Sequence, residues 1–195
     1  MIVSEIKVSG FEDVEKRLGS MKAKAPQVLS RAINRAITNV KKNMGKETSS
    51  KYFISSGDVK KTVTVTKASK SRLQAAAISS GAGIALSKFK VSPGTPVRYR
   101  GKSRSPKVYK AGVEKKGGVK PLDGNPKAFI AIMKSGHKGV FERLSDESLP
   151  LKQLYGPSVP QMVKNEAIMK KINDEANETL QKRLNVEIEN VLRKG

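Results

Sequence analysis

The sequence predicts an α+β fold in which a small, mostly antiparallel sheet packs against a long helix in the N-terminal half and a long C-terminal helix, with a basic loop or hairpin projecting from the body. Three observations predict it. Residues 128–160 hold short apolar runs punctuated by glycine and proline, the pattern of strands and turns. Apolar residues step by threes and fours over residues 28–44 and again over 168–191, the spacing of helices that bury one face. Residues 87–127 are rich in lysine, arginine, proline and glycine, and such a segment cannot bury much apolar surface.

Each element has its own signal. Ile2, Ser4, Ile6 and Val8 fall on one side of an extended segment and Val3, Glu5 and Lys7 on the other, so the chain opens with a short strand that Ser9-Gly10 ends. Phe11, Val14, Leu18 and Met21 then mark a short amphipathic helix, with Glu12 and Asp13 in its first turn, where the helix dipole favours acids. After Pro26, a stripe of Val28, Leu29, Ala32, Ile33, Ala36, Ile37, Val40 and Met44 predicts a helix whose alanines permit close packing. Its outer side carries Arg31, Arg35, Lys41 and Lys42. Like charges four residues apart weaken an isolated helix, so either packing dominates or the face has an anionic partner.

The helical pattern fades between Lys46 and Ile54, and the turn Ser55 to Asp58 can cap one helical turn through Val59 to Lys61. TVTVTKA (62–68) and RLQAAAISSGAGIAL (72–86) resemble an antiparallel pair joined at Ala68 to Ser71. Gly81-Ala82-Gly83 lacks both the third glycine of a dinucleotide loop and the Gly-Lys-Ser/Thr of a nucleotide loop, so it reads as a turn or bulge. Within the basic segment, Pro106 to Val113 is a candidate strand. Tyr99 and Tyr109, interleaved with Arg98, Arg100, Arg104 and Lys107, suit nucleic-acid phosphates and bases, or a loop that threads along an acidic neighbour.

The central stretch reads as a strand at Phe129 to Met133, a turn at Ser135 to Gly139, a strand at Val140 to Arg143 and a third near Leu149 to Tyr155. Ser158 can cap the final helix and Pro160 can occupy its first turn. Ile168, Ile172, Ala176, Leu180, Leu184, Ile188 and Val191 keep one face apolar for a helix roughly 50 Å long at 1.5 Å per residue. That exceeds what a small sheet can cover. The surplus face has three destinations: the helix of residues 28–44, a neighbouring subunit, or none.

A chain of 195 residues with 37% apolar content can bury one core of ordinary size, so residues 1–195 are expected to form a single domain with a basic loop or arm at about 87–127. The absence of cysteine leaves no disulfide framework and fits a reducing cytoplasm or a particle assembled there. The alternating IVSEIKV start does not look like a secretory signal, and no apolar run approaches the ~20 residues of a membrane helix, so no membrane partner is expected. The formal charge is +22, and residues 21–120 carry nearly all of it, with 24 Lys/Arg against 3 Asp/Glu. Such a field attracts polyanions and opposes self-association until something neutralises it. DNA, RNA, an acidic protein surface and plain solvent remain open as its partners.

The only histidine, His137, lies in the turn Ser135-Gly136-His137-Lys138-Gly139. Nucleophilic catalysis needs a base, a nucleophile and an orienting acid, and a metal needs partner ligands. Neither set is visible, so His137 reads as a structural or interface residue and no catalytic residue, cofactor or metal is expected. A nuclease built from carboxylates alone is the enzymatic alternative. Glu142 and Arg143 are expected to form a pair across the hairpin.

SGHKGVFER (135–143) followed by LPLKQLYGPSVPQM (149–162) resembles the prophage minor tail protein Z family of tailed bacteriophages. The positions that carry the resemblance are Gly136, His137, Gly139, Val140, Phe141 and Arg143, then Tyr155, Gly156, Pro157, Ser158 and Pro160. The order of strand, helix, long basic helix and LSKFKVSPG (86–94) is similar too, and the match is weakest around residues 95–125. The resemblance implies a virion protein of the tail or neck, assembled in the host cytoplasm, that completes the head-proximal end of the tail for head-tail joining and DNA passage. It also implies a homo-oligomeric ring and partners among other tail and neck proteins: the terminator, connector or tape measure.

A ring needs lateral contacts, which the long terminal helix offers, and a neck surrounds DNA, whose phosphates an inward basic loop would hold without reading sequence. Candidate contacts with phage DNA or an acidic partner are therefore Arg31, Arg35, Lys41 and Lys42 on the helix, and Arg98, Arg100, Lys102, Arg104, Lys107 and Lys110 on the loop. The alternative is a stand-alone, sequence-non-specific nucleic-acid-binding protein.

Overall fold

The structure is a computed structural model that describes residues 1–7, 11–97, 108–125, 127–145, 147 and 149–194. Its centre is one pair of helices, α2 (Ala25–Lys51) and α5 (Glu166–Lys194). They run antiparallel: Arg31 pairs with Glu187, Asn39 with Thr179 and Glu47 with Lys171, so position rises along one helix as it falls along the other. All seven residues of the α5 stripe, from Ile168 to Val191, are buried. The surplus face therefore packs on α2 within the same chain.

α2 is enclosed on more than one side, and its small residues explain how. Ala25, Ala32 and Ala36 are fully buried among Val28, Leu29, Ile33, Ile37 and Val40, and they let neighbours approach the helix closely. The helix continues past the point where its apolar pattern fades. Gly45, Glu47 and Thr48 carry the inward face of its last turns, and Lys46 and Lys171 hold the Glu47 carboxylate at 3.2 and 3.5 Å. The backbone turns extended at Tyr52, where Phe53 N–H donates to the Val113 carbonyl. A short helix α3 (Ser56–Lys61) follows, with the Ser55 hydroxyl accepting from Asp58 N–H as its cap. At the other end, α1 (Phe11–Leu18) buries Val14 and Leu18, and a 3-10 turn at Gly19–Lys24 leads into α2.

Among the described residues the strands form four small antiparallel sheets. β1 (Ile2–Lys7), β2 (Val63–Thr66) and β3 (Gln74–Ser79) form the first, with β3 in the middle. Its buried Ile6, Val63, Ala75 and Ala77 belong to the same core as the buried face of α2. Ser4 and Ile6 face inward, as the alternation predicts; Val8, Ser9 and Gly10 lie outside the described residues. Residues 72–86 do not make a single strand. They divide at residues 80–82 into β3 and β4 (Gly83–Ala85), and β4 pairs with β11 (Tyr155–Ser158) in a second sheet.

β5 (Lys90–Ser92), β6 (Lys110–Gly112) and β7 (Lys120–Pro121) make the third sheet from the flanks of the basic segment. β8 (Phe129–Ile132), β9 (Lys138–Arg143) and β10 (Leu151–Gln153) make the fourth, close to the expected hairpin. Leu154 joins two sheets, because its N–H donates to the Val140 carbonyl while its own carbonyl accepts from Leu86 N–H.

Two further sequence expectations need correction. Glu142 and Arg143 are adjacent on β9 and so point to opposite faces. Glu142 instead pairs with Lys152 directly across β10 at 3.0 Å, and Arg143 lies over the Phe129 ring and donates to the Glu147 carbonyl. The final helix is also not continuous from Ser158. Ser158 and Gln161 form a reciprocal capping box on a short helix α4 (Val159–Val163), with Pro160 in its first turn. The chain breaks at Lys164 and Asn165 before α5 begins, which leaves α5 about 43 Å long at 1.5 Å per residue.

Ile172 is fully buried within the apolar stripe of α5, so truncating it leaves a cavity in the core near the C-terminal end of α2. Ile172→Ala is expected to lower stability by about 2–5 kcal/mol, read as a lower urea midpoint with an unchanged slope.

Candidate functional site

Positive charge collects on one flank of the helix pair. Arg31, Arg35 and Lys42 are spaced by four and seven residues along α2, so they share a face, and all three are exposed. α5 brings Lys182 and Arg183 to the same flank. Between the two helices runs a groove of about 500 Å³, lined by Arg35, Lys42, Lys182 and Arg183 at its edges with Thr38, Asn39, Thr179 and Val186. A second depression of about 450 Å³ adjoins it and adds Arg31 and Lys67.

Not every cation there is free. Arg31 is paired with Glu187 at 3.5 Å and Lys182 with Glu178, and Lys182 draws the Glu178 carboxyl below the usual carboxylate range by hydrogen bonding and charge. Among the described residues, no carboxylate pairs with Arg35, Lys42 or Arg183. Lys41 has a different task. Its ammonium donates to the Val63 carbonyl at 2.7 Å and ties α2 to β2, so the structure separates it from the other three helix cations.

Sequence periodicity singles out Arg31, Arg35 and Lys42 but gives no hint of Lys67, Lys182 or Arg183. Lys182 and Arg183 join the site through the antiparallel docking of α5, whose charged face looks like ordinary solvated surface when read alone, and Lys67 joins it where Ala68 hydrogen-bonds Asn34 of α2.

Of the loop candidates, Lys110 is exposed on β6, while Arg98, Arg100, Lys102, Arg104 and Lys107 lie outside the described residues, as does Tyr99. Tyr109 is not available for stacking on a base. It is 7% exposed, within the core cluster, and its carbonyl accepts from Leu122 N–H, which fixes that side of the segment to the body.

The motif of residues 135–160 builds structure. Gly136 takes φ +80 in the turn, where its N–H donates to the Met133 carbonyl. His137 Nε2 lies 3.2 Å from Gln153 Oε1 across the sheet, and its ring meets the Phe141 ring edge-on. Val140 and Phe141 are buried, and Phe141 faces Phe129 on the neighbouring strand. A side chain at Gly156 would come within 2.7 Å of the Phe89 ring, so only glycine lets β11 pass beside it. Pro157 lies on β11, Ser158 caps α4 and Tyr155 is exposed.

Comparison with known proteins decides which family this is. The family model described as prophage minor tail protein Z (GPZ) matches residues 8–194. The chain belongs to that family. A search of curated proteins and a search of solved structures return no match. Membership in the minor tail protein Z family makes the chain a structural protein of a bacteriophage tail and so a component of the virion. Among the described residues no helix is long and apolar enough to cross a membrane, and no cluster of three or more His, Asp or Glu could hold a metal ion.

For a minor tail protein Z, the described surface presents charge and packing. Among the described residues, the side-chain contacts of His137 are one exposed hydrogen bond and one ring edge. His137→Ala is accordingly expected to cost less than about 1.5 kcal/mol of stability in thermal unfolding, with no loss of infective particles. A complete loss of infectivity with normal folding would give His137 a direct functional role.

Proposed function

We propose that this minor tail protein Z acts at the head-proximal end of the tail, as a ring or collar subunit that completes the tail for joining to the head and for DNA passage. The observation that carries the reading is the one-sided charge. Residues 21–120 hold 24 Lys/Arg against 3 Asp/Glu, and exposed cations on α2 and β6 present part of that excess on the surface of the folded chain. A phosphate backbone that must slide rather than be read calls for such a surface, because neutralising phosphates releases counterions without reference to base sequence. The charge also means that copies repel one another until DNA or an acidic neighbour neutralises them, which couples ring assembly to the arrival of those partners. Terminator, connector and tape-measure proteins are the neighbours that this position implies.

The same charge supports a second reading, a stand-alone protein that binds nucleic acid without sequence preference. Tight, steeply salt-dependent duplex binding by a monomer, together with normal virions when the gene is deleted, is the outcome expected of that module.

The neck reading is tested by electron microscopy and infectivity of particles made without this protein. Tails that fail to join heads, or joined particles that fail to deliver DNA, are expected. Tails of normal length that join heads and inject DNA would overturn it.

A further inference from the structure

Cations from three parts of the chain meet on one flank of the helix pair. Arg31, Arg35 and Lys42 come from α2, Lys182 and Arg183 from α5, and Lys67 from the chain after β2, where Asn34 holds Ala68 against α2. Glu187 and Glu178 pair with Arg31 and Lys182. Arg35, Lys42, Lys67 and Arg183 are exposed and have no carboxylate partner among the described residues. Their N–H groups are donors that an incoming anion can take.

The groups between the cations decide which polyanion fits. A protein partner needs an apolar core of contact inside a polar rim, and lysine is depleted from such cores. Among the described residues that line the flank, Val186 alone is apolar, so there is no pocket to receive an anchor. Interfaces with nucleic acid are more polar and far more positive, as this flank is. The same lining residues include no aromatic side chain, so unpaired bases would find nothing to stack on. A duplex keeps its bases stacked inside and offers its phosphates outside, which is what such a surface can hold.

The side chains that could read base edges are already engaged. Asn34 donates to the Ala68 carbonyl at 2.9 Å and accepts from Ala68 N–H at 2.8 Å, which occupies both ends of an amide that could otherwise grip adenine. The Asn39 amide donates to the Thr179 hydroxyl at 2.6 Å, and the Thr38 hydroxyl donates to the Asn34 carbonyl at 2.7 Å. What remains available is charge. From Arg31 to Lys42 the α2 axis advances about 16 Å at about 1.5 Å per residue, the length of about five base pairs at about 3.4 Å each.

We infer that the flank formed by α2, α5 and Lys67 is a track for the phosphate backbone of duplex DNA, held by Arg35, Lys42, Lys67 and Arg183 without readout of base sequence. The inference rests on the reading of the chain as a protein past which DNA moves. It assigns that contact to the helix pair and not to the sheet of β5, β6 and β7.

The test titrates the full chain with two duplexes of about 20 base pairs and unrelated sequence, and with their separated strands, over a series of salt concentrations. Binding is read by fluorescence anisotropy and folding by circular dichroism. The two duplexes are expected to bind alike, and each more tightly than its single strands. Arg35→Gln combined with Arg183→Gln is expected to weaken duplex binding roughly tenfold or more at low salt and to flatten the slope of log K against log salt by about two. Both residues are exposed, so the chain remains folded. Lys110→Gln combined with Lys120→Gln removes the same charge from β6 and β7 and is expected to change duplex binding by less than about threefold, since distant exposed charges are screened.

Equal loss in the two double variants would mean that net charge alone binds DNA and would overturn the inference. Unequal binding of the two duplexes, or single strands bound more tightly than the duplex, would overturn it too. A glutamate-rich peptide of about 20 residues is the last comparison. Were Arg35→Gln with Arg183→Gln to lose that peptide yet keep the duplex, the flank would belong to an acidic protein instead. Failure here leaves the neck reading in place, because that reading stands or falls on particles lacking the protein.

Discussion

The packing of α5 along α2 is the interaction on which the rest of the molecule depends. α5 keeps a single apolar face from Ile168 to Val191 and has no sheet long enough to cover it, while α2 buries residues on several sides. Joined antiparallel, each supplies what the other lacks. The pair then forms a rod against which α1, α3 and the β1-β3-β2 sheet can each bury a small face, which explains how such short strands persist. The ion pairs Arg31 to Glu187 and Lys46 to Glu175 along the seam have exposed cations, so they set register more than they add stability. The energy lies in the apolar seam, where Ile172 is wholly removed from water.

That division of labour also frees the outer flank for function. A helix pair held together by an apolar seam does not need its surface charges for stability, so α2 and α5 can present unpaired cations at little structural cost. The basic surface and the core are set by different residues on the same two helices. Lys41 marks the boundary between these roles: one position along from Lys42, its ammonium is turned inward to a strand carbonyl.

Much of the fold was legible because its signals are local. The α5 stripe, the Ser55 and Ser158 caps, the β2–β3 hairpin and the turn at Gly136 each follow from residues a few positions apart. What was not legible depends on partners distant in sequence. Nothing near Ile2 says that β1 will pair with β3, and nothing in residues 72–86 says that they will divide between two sheets. α2 outlasts its apolar pattern because Glu47 and Thr48 are buried there, an exception that periodicity cannot see. The candidate site was half legible for the same reason. Arg31, Arg35 and Lys42 declare themselves along one helix, but Lys182 and Arg183 matter only once the helices have docked, and Lys67 only once the chain after β2 is held against α2 by Asn34. Tyr109 looked like a base-stacking residue because its neighbours are basic, yet its ring belongs to the core.

The attachment of the basic segment to the body has a mechanical consequence. β5 and β6 pair antiparallel on its two sides, and just beyond β6 the chain is clipped to the end of α2, through Phe53 N–H to the Val113 carbonyl and Lys115 N–H to the Lys51 carbonyl. A pull on that segment would therefore load backbone hydrogen bonds at the C-terminal end of the longest rigid element in the N-terminal half, and α2 would carry the force along its axis to α1 at the opposite end. Such an anchorage would turn load on one segment into strain spread over the whole helix pair.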